Sequence, residues 1–295
     1  MRILILFILS IFNLGTQGIE SVSHCDSVTQ LHLSQVALAD SLYKNYLPQH
    51  NFNEVKAAVD FFELEIDEAG IERRTKDSDD RLLIYNCARA HYYHAVGLTE
   101  RDDIIGACEH YLRALELMEA NFASQNLSDL DYDKTRFMAL IYTRLGRLFF
   151  NENYCDLAII KYNKALKYVE LMNDTHAEAN ILKGLANAYH LSGEADSALY
   201  YYNKSLRSDP DLHNRLDVEK SIAKILFDKG EKDSAYVLIT NNLDKMENYS
   251  ARNSYYLTLG RMYYEDKMYD TAIYYLKSLL ISNNKHIIIS SSECL

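Results

Sequence analysis

The stretch from Asn180 to Leu212, NILKGLANAYHLSGEADSALYYYNKSLRSDPDL, decides the fold of the chain. Large apolar or aromatic residues stand four and one residues before Ala186 and three residues after it: Leu182, Leu185 and Tyr189. These offsets lie on one stripe of an α-helix, and the small residue lets a neighbouring backbone approach closely. Ser192-Gly193-Glu194 predicts the end of this helix and the beginning of another. Ala198 and Tyr202 then mark the second helix as amphipathic. The stretch therefore predicts two helices joined by a tight turn.

The same pattern recurs along the chain. The small residues of the first helices are Ala88, Gly146, Ala186, Ala223 and Gly260. The alanines of the second helices are Ala107, Ala158, Ala198, Ala235 and Ala272. The copy at Ala88 carries seven extra residues between its halves, and the copy at Ala223 replaces aromatic anchors with Ile or Leu. Because such self-similarity is the signature of repeat architectures, the predicted fold class is all-α.

The composition agrees with this prediction. The 295 residues include only two prolines and ten glycines, fewer than the turns of an all-β fold require. Hydrophobic residues make up 48% and charged residues 25%, which excludes wholesale disorder. The formal net charge of −11 argues against general nucleic-acid binding, which needs clustered positive charge.

The order of anchors around Leu145-Gly146 and Ala186, closed by Pro210 in the second case, resembles the tetratricopeptide repeat. The resemblance implies a right-handed α-solenoid of antiparallel helix pairs, with about five repeats over residues 82–284. The leading Trp of the family pattern is absent, and its final Pro occurs only at Pro210. Residues 19–81 are interpreted as a degenerate helix pair and a linker, and residues 285–295 as an uncapped C-terminal tail.

The N-terminal segment has the pattern of a secretory signal peptide over residues 1–18. Arg2 precedes a short apolar run, Ile3 to Phe12, and small residues follow at Gly15 and Gly18. The expected location is therefore the periplasm. An alternative is a lipid anchor at Cys25, although His24 precedes that cysteine where a bacterial lipoprotein has a small residue. Membrane association is expected only through such an anchor or through a partner.

The resemblance also implies a ligand groove, because the first helix of each pair lines the concave face of such arrays. The positions that line this groove are Tyr85, Arg89, Tyr92, Arg147, Phe150, Lys183, Asn187, His190, Lys220, Lys224, Phe227, Arg261 and Tyr264. The rows three residues before and one residue after each small residue contain six cations and no acid. The row four residues after it is aromatic. The pattern favours a protein or peptide ligand that is acidic and carries apolar anchors.

No motif for catalysis, phosphate binding or dinucleotide binding appears, so no catalytic residue, cofactor or metal is expected and the chain is interpreted as non-enzymatic. The best local cluster is Cys87, His91, His94, Cys108 and His110. Cys87 and His91 are one helical turn apart and are able to share a metal with Cys108. Because both occupy core offsets of the first repeat copy, packing is the favoured interpretation over a metal site or a Cys87–Cys108 disulfide.

Three functions remain open from the sequence. The favoured one is a non-enzymatic scaffold of the bacterial cell envelope that binds a protein or peptide through the basic and aromatic groove. The alternative is a truncated periplasmic sensor region of a membrane-anchored signalling or transcription regulator, a class that the Tyr-rich repeats and signal peptide resemble. A minor alternative is a carbohydrate-binding accessory protein, which the absence of tryptophan disfavours.

Overall fold

The computed structural model describes residues 55–56, 58–60, 63, 78–122, 132–209, 211–243, 245–246 and 249–278. Within these ranges the chain contains helices, turns and short connections but no strand, so the predicted all-α class is confirmed. The predicted signal peptide, Cys25 and the predicted tail 285–295 lie outside the described residues. The chain divides into two compact units, Met1–Ser124 and Gln125–Leu295, and the division falls between the repeat copies at Ala88 and Gly146.

The first unit contains a helical hairpin. Helix α1 (Ser78–Thr99) packs against helix α2 (Ile104–Phe122), and the two are joined by a short turn. Ala88 and Ala107 are buried where the helices meet, as their places in the repeat pattern predict. Upstream, residues 55–56 and 58–60 are helical, with Val55, Ala58 and Val59 buried.

The second unit is an array of successive helix pairs. Its helices are α3 (Tyr132–Asn151), α4 (Cys155–Met172), α5 (Thr175–Leu191), α6 (Ala195–Ser208), α7 (Leu212–Asp228), α8 (Lys232–Leu243), α9 (Tyr249–Glu265) and α10 (269–278). From α3 to α9 each helix packs against the next, and the first helices of neighbouring pairs also meet, α3 against α5 and α7 against α9. The helix pairs predicted from the repeat pattern are therefore present.

Small residues and one large aromatic residue fit together at the junctions between pairs. Ala158, Ala186 and Ala198 are fully buried. A Cβ added at Gly146 would lie 2.9 Å from the Tyr162 ring, and one added at Gly184 would lie 2.7 Å from it. Tyr162 on α4 therefore fills the space that both glycines leave on α3 and α5.

The turns inside the helix pairs share one backbone design. The residue in the middle of each turn has a positive φ: Asp102, Asn153, Gly193, Gly230 and Lys267. The N–H of the following residue donates to a carbonyl five residues back, as from Glu194 to Tyr189 at 2.9 Å and from Met268 to Tyr263 at 2.9 Å. This is the Schellman ending of an α-helix. Asp196 and Asp233 then lie in the first turn of the second helix, where a carboxylate is favoured by the positive end of the helix dipole.

Tyrosine rings stack inside and between the pairs. Tyr189 and Tyr201 lie 5.2 Å apart with an interplanar angle of 2°, and Tyr263 and Tyr275 lie 5.5 Å apart at 1°. Tyr236 on α8 stacks on Tyr263 of the next pair at 4.4 Å. These stacks account for part of the 24 tyrosines in the sequence as packing residues.

Candidate functional site

The predicted groove positions divide between the two units. Three of them, Tyr85, Arg89 and Tyr92, lie on α1 in the first unit. The other ten lie on the first helices of the second unit and are here called the first-helix face. They are Arg147 and Phe150 on α3, Lys183, Asn187 and His190 on α5, Lys220, Lys224 and Phe227 on α7, and Arg261 and Tyr264 on α9.

Three cations of the first-helix face are open to solvent. Arg147, Lys224 and Arg261 occupy the same register, one residue after the small residue, on α3, α7 and α9, and all three are exposed. None of them makes an ion pair with another residue in the part of the chain that the structure describes. The positive charge of these three side chains is therefore available to a ligand.

The two remaining lysines of this face share an acid. Asp217 on α7 accepts from the Lys183 Nζ of α5 at 3.4 Å and from Lys220 Nζ at 2.9 Å. Burial raises the pKa of Asp217, but the hydrogen bond and charge of Lys220, together with Lys183, outweigh it and hold that pKa below its usual value. Lys220 also reaches α9, where it contacts the Ser254 Oγ at 2.6 Å. Much of the charge of the two lysines is thus used inside the protein.

Asp217 is not among the predicted groove residues because it lies outside the three rows of each first helix that the repeat pattern assigns to the groove. Asp217 lies three residues before Lys220, so that their contact is an i, i+3 pair on one helix. Lys183 and Asp217 are 34 residues apart, and Lys220 and Ser254 are also 34 apart. The repeated offset of 34 residues between a lysine and a polar or acidic residue is the sequence signal that identifies both contacts.

Polar residues of α5 complete the middle of the face. Asn187 is half-buried, and its Oδ1 accepts a hydrogen bond from the Tyr202 hydroxyl. The His190 Nε2 lies 3.9 Å from a carboxylate oxygen of Asp228. Burial and then the nearby charge of Lys224 lower the pKa of His190, against the opposing effect of Asp228. The imidazole therefore favours its neutral form, in which it both donates and accepts hydrogen bonds.

The aromatic row is mostly not at the surface. Tyr92 is 5% exposed and Phe227 is 6% exposed, although both were predicted to line the groove. Tyr92 packs edge-on against Tyr111 at 5.7 Å and Phe227 against Tyr236 at 5.9 Å, so the neighbouring second helix covers each ring. In the second unit Phe150 is half-buried and Tyr264 is 64% exposed. The apolar contact available to a ligand from this row therefore reduces to these two rings.

The first unit holds its own cation and aromatic pair on α1. The Arg89 guanidinium carbon lies 5.7 Å from the centre of the Tyr85 ring, and that ring packs edge-on against Phe122 of α2 at 6.4 Å. Both Tyr85 and Arg89 are half-buried. Their contacts tie α1 to α2 within this hairpin.

A partly buried chain of titratable side chains runs through the first unit. The Glu63 carboxylate accepts from the His91 Nε2 at 2.8 Å and from Arg113 Nε and Nη2 at 2.8 and 2.9 Å. The His91 Nδ1 is 2.8 Å from the His110 Nδ1, and the His110 Nε2 is 3.1 Å from the His94 Nδ1. Three imidazoles and one ion pair are thus connected in series.

Burial and hydrogen bonding shape the acid–base properties of this chain. The hydrogen bonds from His91 and then Arg113 lower the pKa of Glu63 to about 2, so it is ionised. Burial, followed by the charges of His110 and His91, lowers the pKa of His94 to about 4. Cys87 is a fully buried free thiol beside Glu63, and burial is the main cause that raises its pKa.

The sequence pointed to His91, His94 and His110 but not to Glu63 or Arg113. Glu63 lies 28 residues before His91 in a segment that does not carry the repeat pattern, so no spacing rule connects the two. Cys108, which was grouped with Cys87 from the sequence, forms no disulfide with it.

The helix pairs define the described part of the chain as an array of α-helical repeats, and comparison with known proteins finds a family model that matches one segment of it. Residues 137–211 match the family model described as tetratricopeptide repeat. That segment carries the family's sequence pattern, and the described helices have the fold of tetratricopeptide repeats. No curated protein matches the sequence.

Solved structures with the same fold include three with TM-scores above 0.5. BtubC (BKLC) from P. vanneervenii has a TM-score of 0.59 at 15% identity, over 80% of this chain and 90% of that one. NprR in complex with its cognate peptide NprX has a TM-score of 0.54 at 12% identity, over 96% of this chain and 74% of that one. A Rap protein complexed with competence and sporulation factor has a TM-score of 0.52 at 11% identity, over 87% and 77%. At these identities the likeness concerns the fold.

Proposed function

We propose that the protein is a scaffold that binds a protein or peptide ligand through the first-helix face of the second unit. The observation that carries the proposal is the common register of Arg147, Lys224 and Arg261, all exposed and without an ion-pair partner among the described residues. Cations repeated at one register along successive helices form a row that matches a chain of negative charges.

The structural neighbours support a peptide as the kind of ligand. The NprR structure contains its cognate peptide NprX, and the Rap structure contains competence and sporulation factor. The fold of this chain is thus one in which other proteins hold a ligand of that size. The same fold supports a non-enzymatic role, since tetratricopeptide repeat scaffolds are generally non-catalytic.

The energetics require apolar contacts beside the charges. Exposed ion pairs contribute about 0.2–1 kcal/mol each, so three cations supply at most about 3 kcal/mol. A micromolar complex needs about 8 kcal/mol. Tyr264 and Phe150 are the aromatic residues of the face that retain accessible surface, and burying apolar groups of a ligand against them supplies part of the remainder. An acidic segment with apolar anchors is therefore the proposed ligand.

The proposed location is the periplasm, after export directed by residues 1–18. Arg2, the apolar run to Phe12 and the small residues around Gly18 support this, and cleavage after Gly18 is the expected processing step. None of the described helices combines the length and apolarity that a membrane crossing requires. N-terminal sequencing of the protein recovered from a bacterial host tests the proposal, and an intact N-terminus at Met1 would contradict it.

Selection from a random peptide library displayed on phage tests the proposed ligand class. The purified protein is expected to enrich sequences that combine Asp or Glu with aromatic or aliphatic residues. The double variant Arg147→Glu/Lys224→Glu is expected to lose that enrichment. The control Lys167→Glu/Arg207→Glu makes the same charge change at exposed sites on second helices and is expected to keep it. Equal enrichment by all three proteins, or none by the wild type, would overturn the proposal.

A further inference from the structure

We propose that Glu63, Cys87 and His91 form a binding site for one zinc ion inside the first unit. One carboxylate oxygen, the thiol sulfur and one ring nitrogen of these residues all lie within 4.8 Å of one another. The sequence alone favoured packing roles for Cys87 and His91. Glu63, which the sequence did not connect with them, changes that interpretation. It supplies a third ligand atom, and it lies outside the helix α1 that carries Cys87 and His91.

The three donors suit zinc by type and by spacing. Zinc binds thiolate sulfur, imidazole nitrogen and carboxylate oxygen, commonly in tetrahedral geometry, so a water molecule would supply the fourth ligand here. Its bond lengths place tetrahedral ligand atoms about 3.3–3.7 Å apart. The His91 Nε2 and the Glu63 Oε1 are 2.8 Å apart and need to separate slightly. The Cys87 Sγ lies within 4.8 Å of both atoms and needs to approach them by no more than about 1.5 Å.

The surrounding hydrogen bonds hold two of the ligands in place. Arg113 donates twice to Glu63 and fixes the direction of the carboxylate. When the His91 Nε2 binds the ion, its Nδ1–H donates to His110, and the His110 Nε2–H donates to His94 across the contacts already present. Metal-binding histidines usually have such a partner on the second ring nitrogen, and it orients the ring.

The charges of the cluster balance when a divalent ion binds. Glu63, Arg113 and Glu116, which is 3.0 Å from Arg113, together leave one negative charge. A zinc ion that displaces the Cys87 thiol proton to solvent forms a sulfur–zinc bond and brings the cluster to neutrality. Desolvation disfavours an isolated thiolate at Cys87, so the ion is needed to stabilise the deprotonated sulfur.

The burial of the site indicates a structural role. Cys87 is fully buried and His91 is 4% exposed, whereas the Glu63 side chain keeps 26% of its surface accessible. An ion bound there connects the segment that carries Glu63 to α1. It therefore stabilises the first unit by mass action, since the unfolded chain does not hold the three ligands together.

Titration of the reduced, full-length protein with Co²⁺ tests the site, because Co²⁺ replaces zinc and reports its ligands in the spectrum. We expect one equivalent to produce visible bands of a tetrahedral site and a near-ultraviolet band from thiolate to Co²⁺. Added Zn²⁺ is expected to abolish both. Cys87→Ala should remove the thiolate band, whereas the control Cys155→Ala, which removes a free thiol of the second unit, should retain it.

A second variant keeps the test informative if Cys87→Ala alters the fold, which far-ultraviolet circular dichroism would reveal. Glu63→Gln keeps the size of the side chain and removes its charge, and it should weaken Co²⁺ binding by about tenfold or more. Zn²⁺ should raise the midpoint of thermal unfolding of the wild type but not of Glu63→Gln. A thiolate band that persists in Cys87→Ala, or a wild type without a stoichiometric Co²⁺ spectrum, would overturn the proposal.

Discussion

Lys183 on α5 and Asp217 on α7 are joined at 3.4 Å across two neighbouring helix pairs, and Asp217 also binds Lys220 of its own helix at 2.9 Å. The Asp217 carboxylate thus forms ion pairs with two of the five cations of the first-helix face. The relationship separates the face into a row of engaged lysines and a row of exposed cations, formed by Arg147, Lys224 and Arg261.

Removing the charge of Asp217 should make the face more attractive to acidic ligands. Asp217→Asn frees Lys183 and Lys220, so the affinity for a random copolymer of glutamate and tyrosine should rise by up to about fivefold. Fluorescence anisotropy at low ionic strength measures it. The control Asp233→Asn removes an exposed carboxylate on a second helix and should leave the affinity within error. Unchanged or weaker binding by Asp217→Asn would count against a ligand at this face.

The same carboxylate should contribute to the pH dependence of folding. Its pKa in the folded state lies below the unfolded value near 3.9, so the folded state binds fewer protons and Asp217 stabilises the protein at neutral pH. That contribution should disappear as the pH falls below about 4 toward the folded pKa. The difference in unfolding free energy between the wild type and Asp217→Asn, measured in urea, should therefore shrink on acidification. If this difference in unfolding free energy grew on acidification, the pKa of Asp217 would be raised rather than lowered in the folded state.

The packing of Tyr162 predicts a specific cost at Gly184. A Cβ at that position meets the Tyr162 ring at 2.7 Å, so Gly184→Ala should destabilise the protein by about 1–3 kcal/mol through overpacking. Urea unfolding followed by circular dichroism measures this. In a Tyr162→Leu background the same substitution should cost much less, because the contact is absent. Additive effects of the two substitutions would contradict the proposed contact.

The shared turn predicts opposite effects at two equivalent positions. Gly193 has φ +88° and open space around its Cβ position, so Gly193→Ala should destabilise the protein by about 1 kcal/mol through the backbone alone. Lys267 holds a φ of 62° at the corresponding place, and Lys267→Gly should be neutral or stabilising. Thermal unfolding of both variants checks the pair. Equal losses at the two sites would rule out the left-handed conformation as the cause.

The helix pairs were predictable from the sequence because their determinants are local. The periodicity of large residues around Ala186 and Ala198 predicts two helices, and Gly193 predicts the turn between them. None of these signals depends on the neighbouring helix pairs.

The properties of the face were less predictable because they depend on neighbours in space. Tyr92 and Phe227 share their register with the exposed Tyr264, yet second-helix tyrosines cover the first two rings. The ion pair that engages Lys183 depends on Asp217 in the following helix pair. Glu63 reaches His91 from a segment without repeat pattern. Such contacts arise from how elements pack, and periodicity along one helix does not encode them.

The most direct measurement of the central claim is the affinity of the glutamate–tyrosine copolymer for three proteins at low ionic strength. We expect Arg147→Glu/Lys224→Glu to bind at least about tenfold more weakly than the wild type, since two attractive contacts become repulsive. Lys167→Glu/Arg207→Glu has the same net charge and should bind like the wild type. Equal weakening in both double variants would mean that only net charge matters and would contradict a ligand site on the first-helix face.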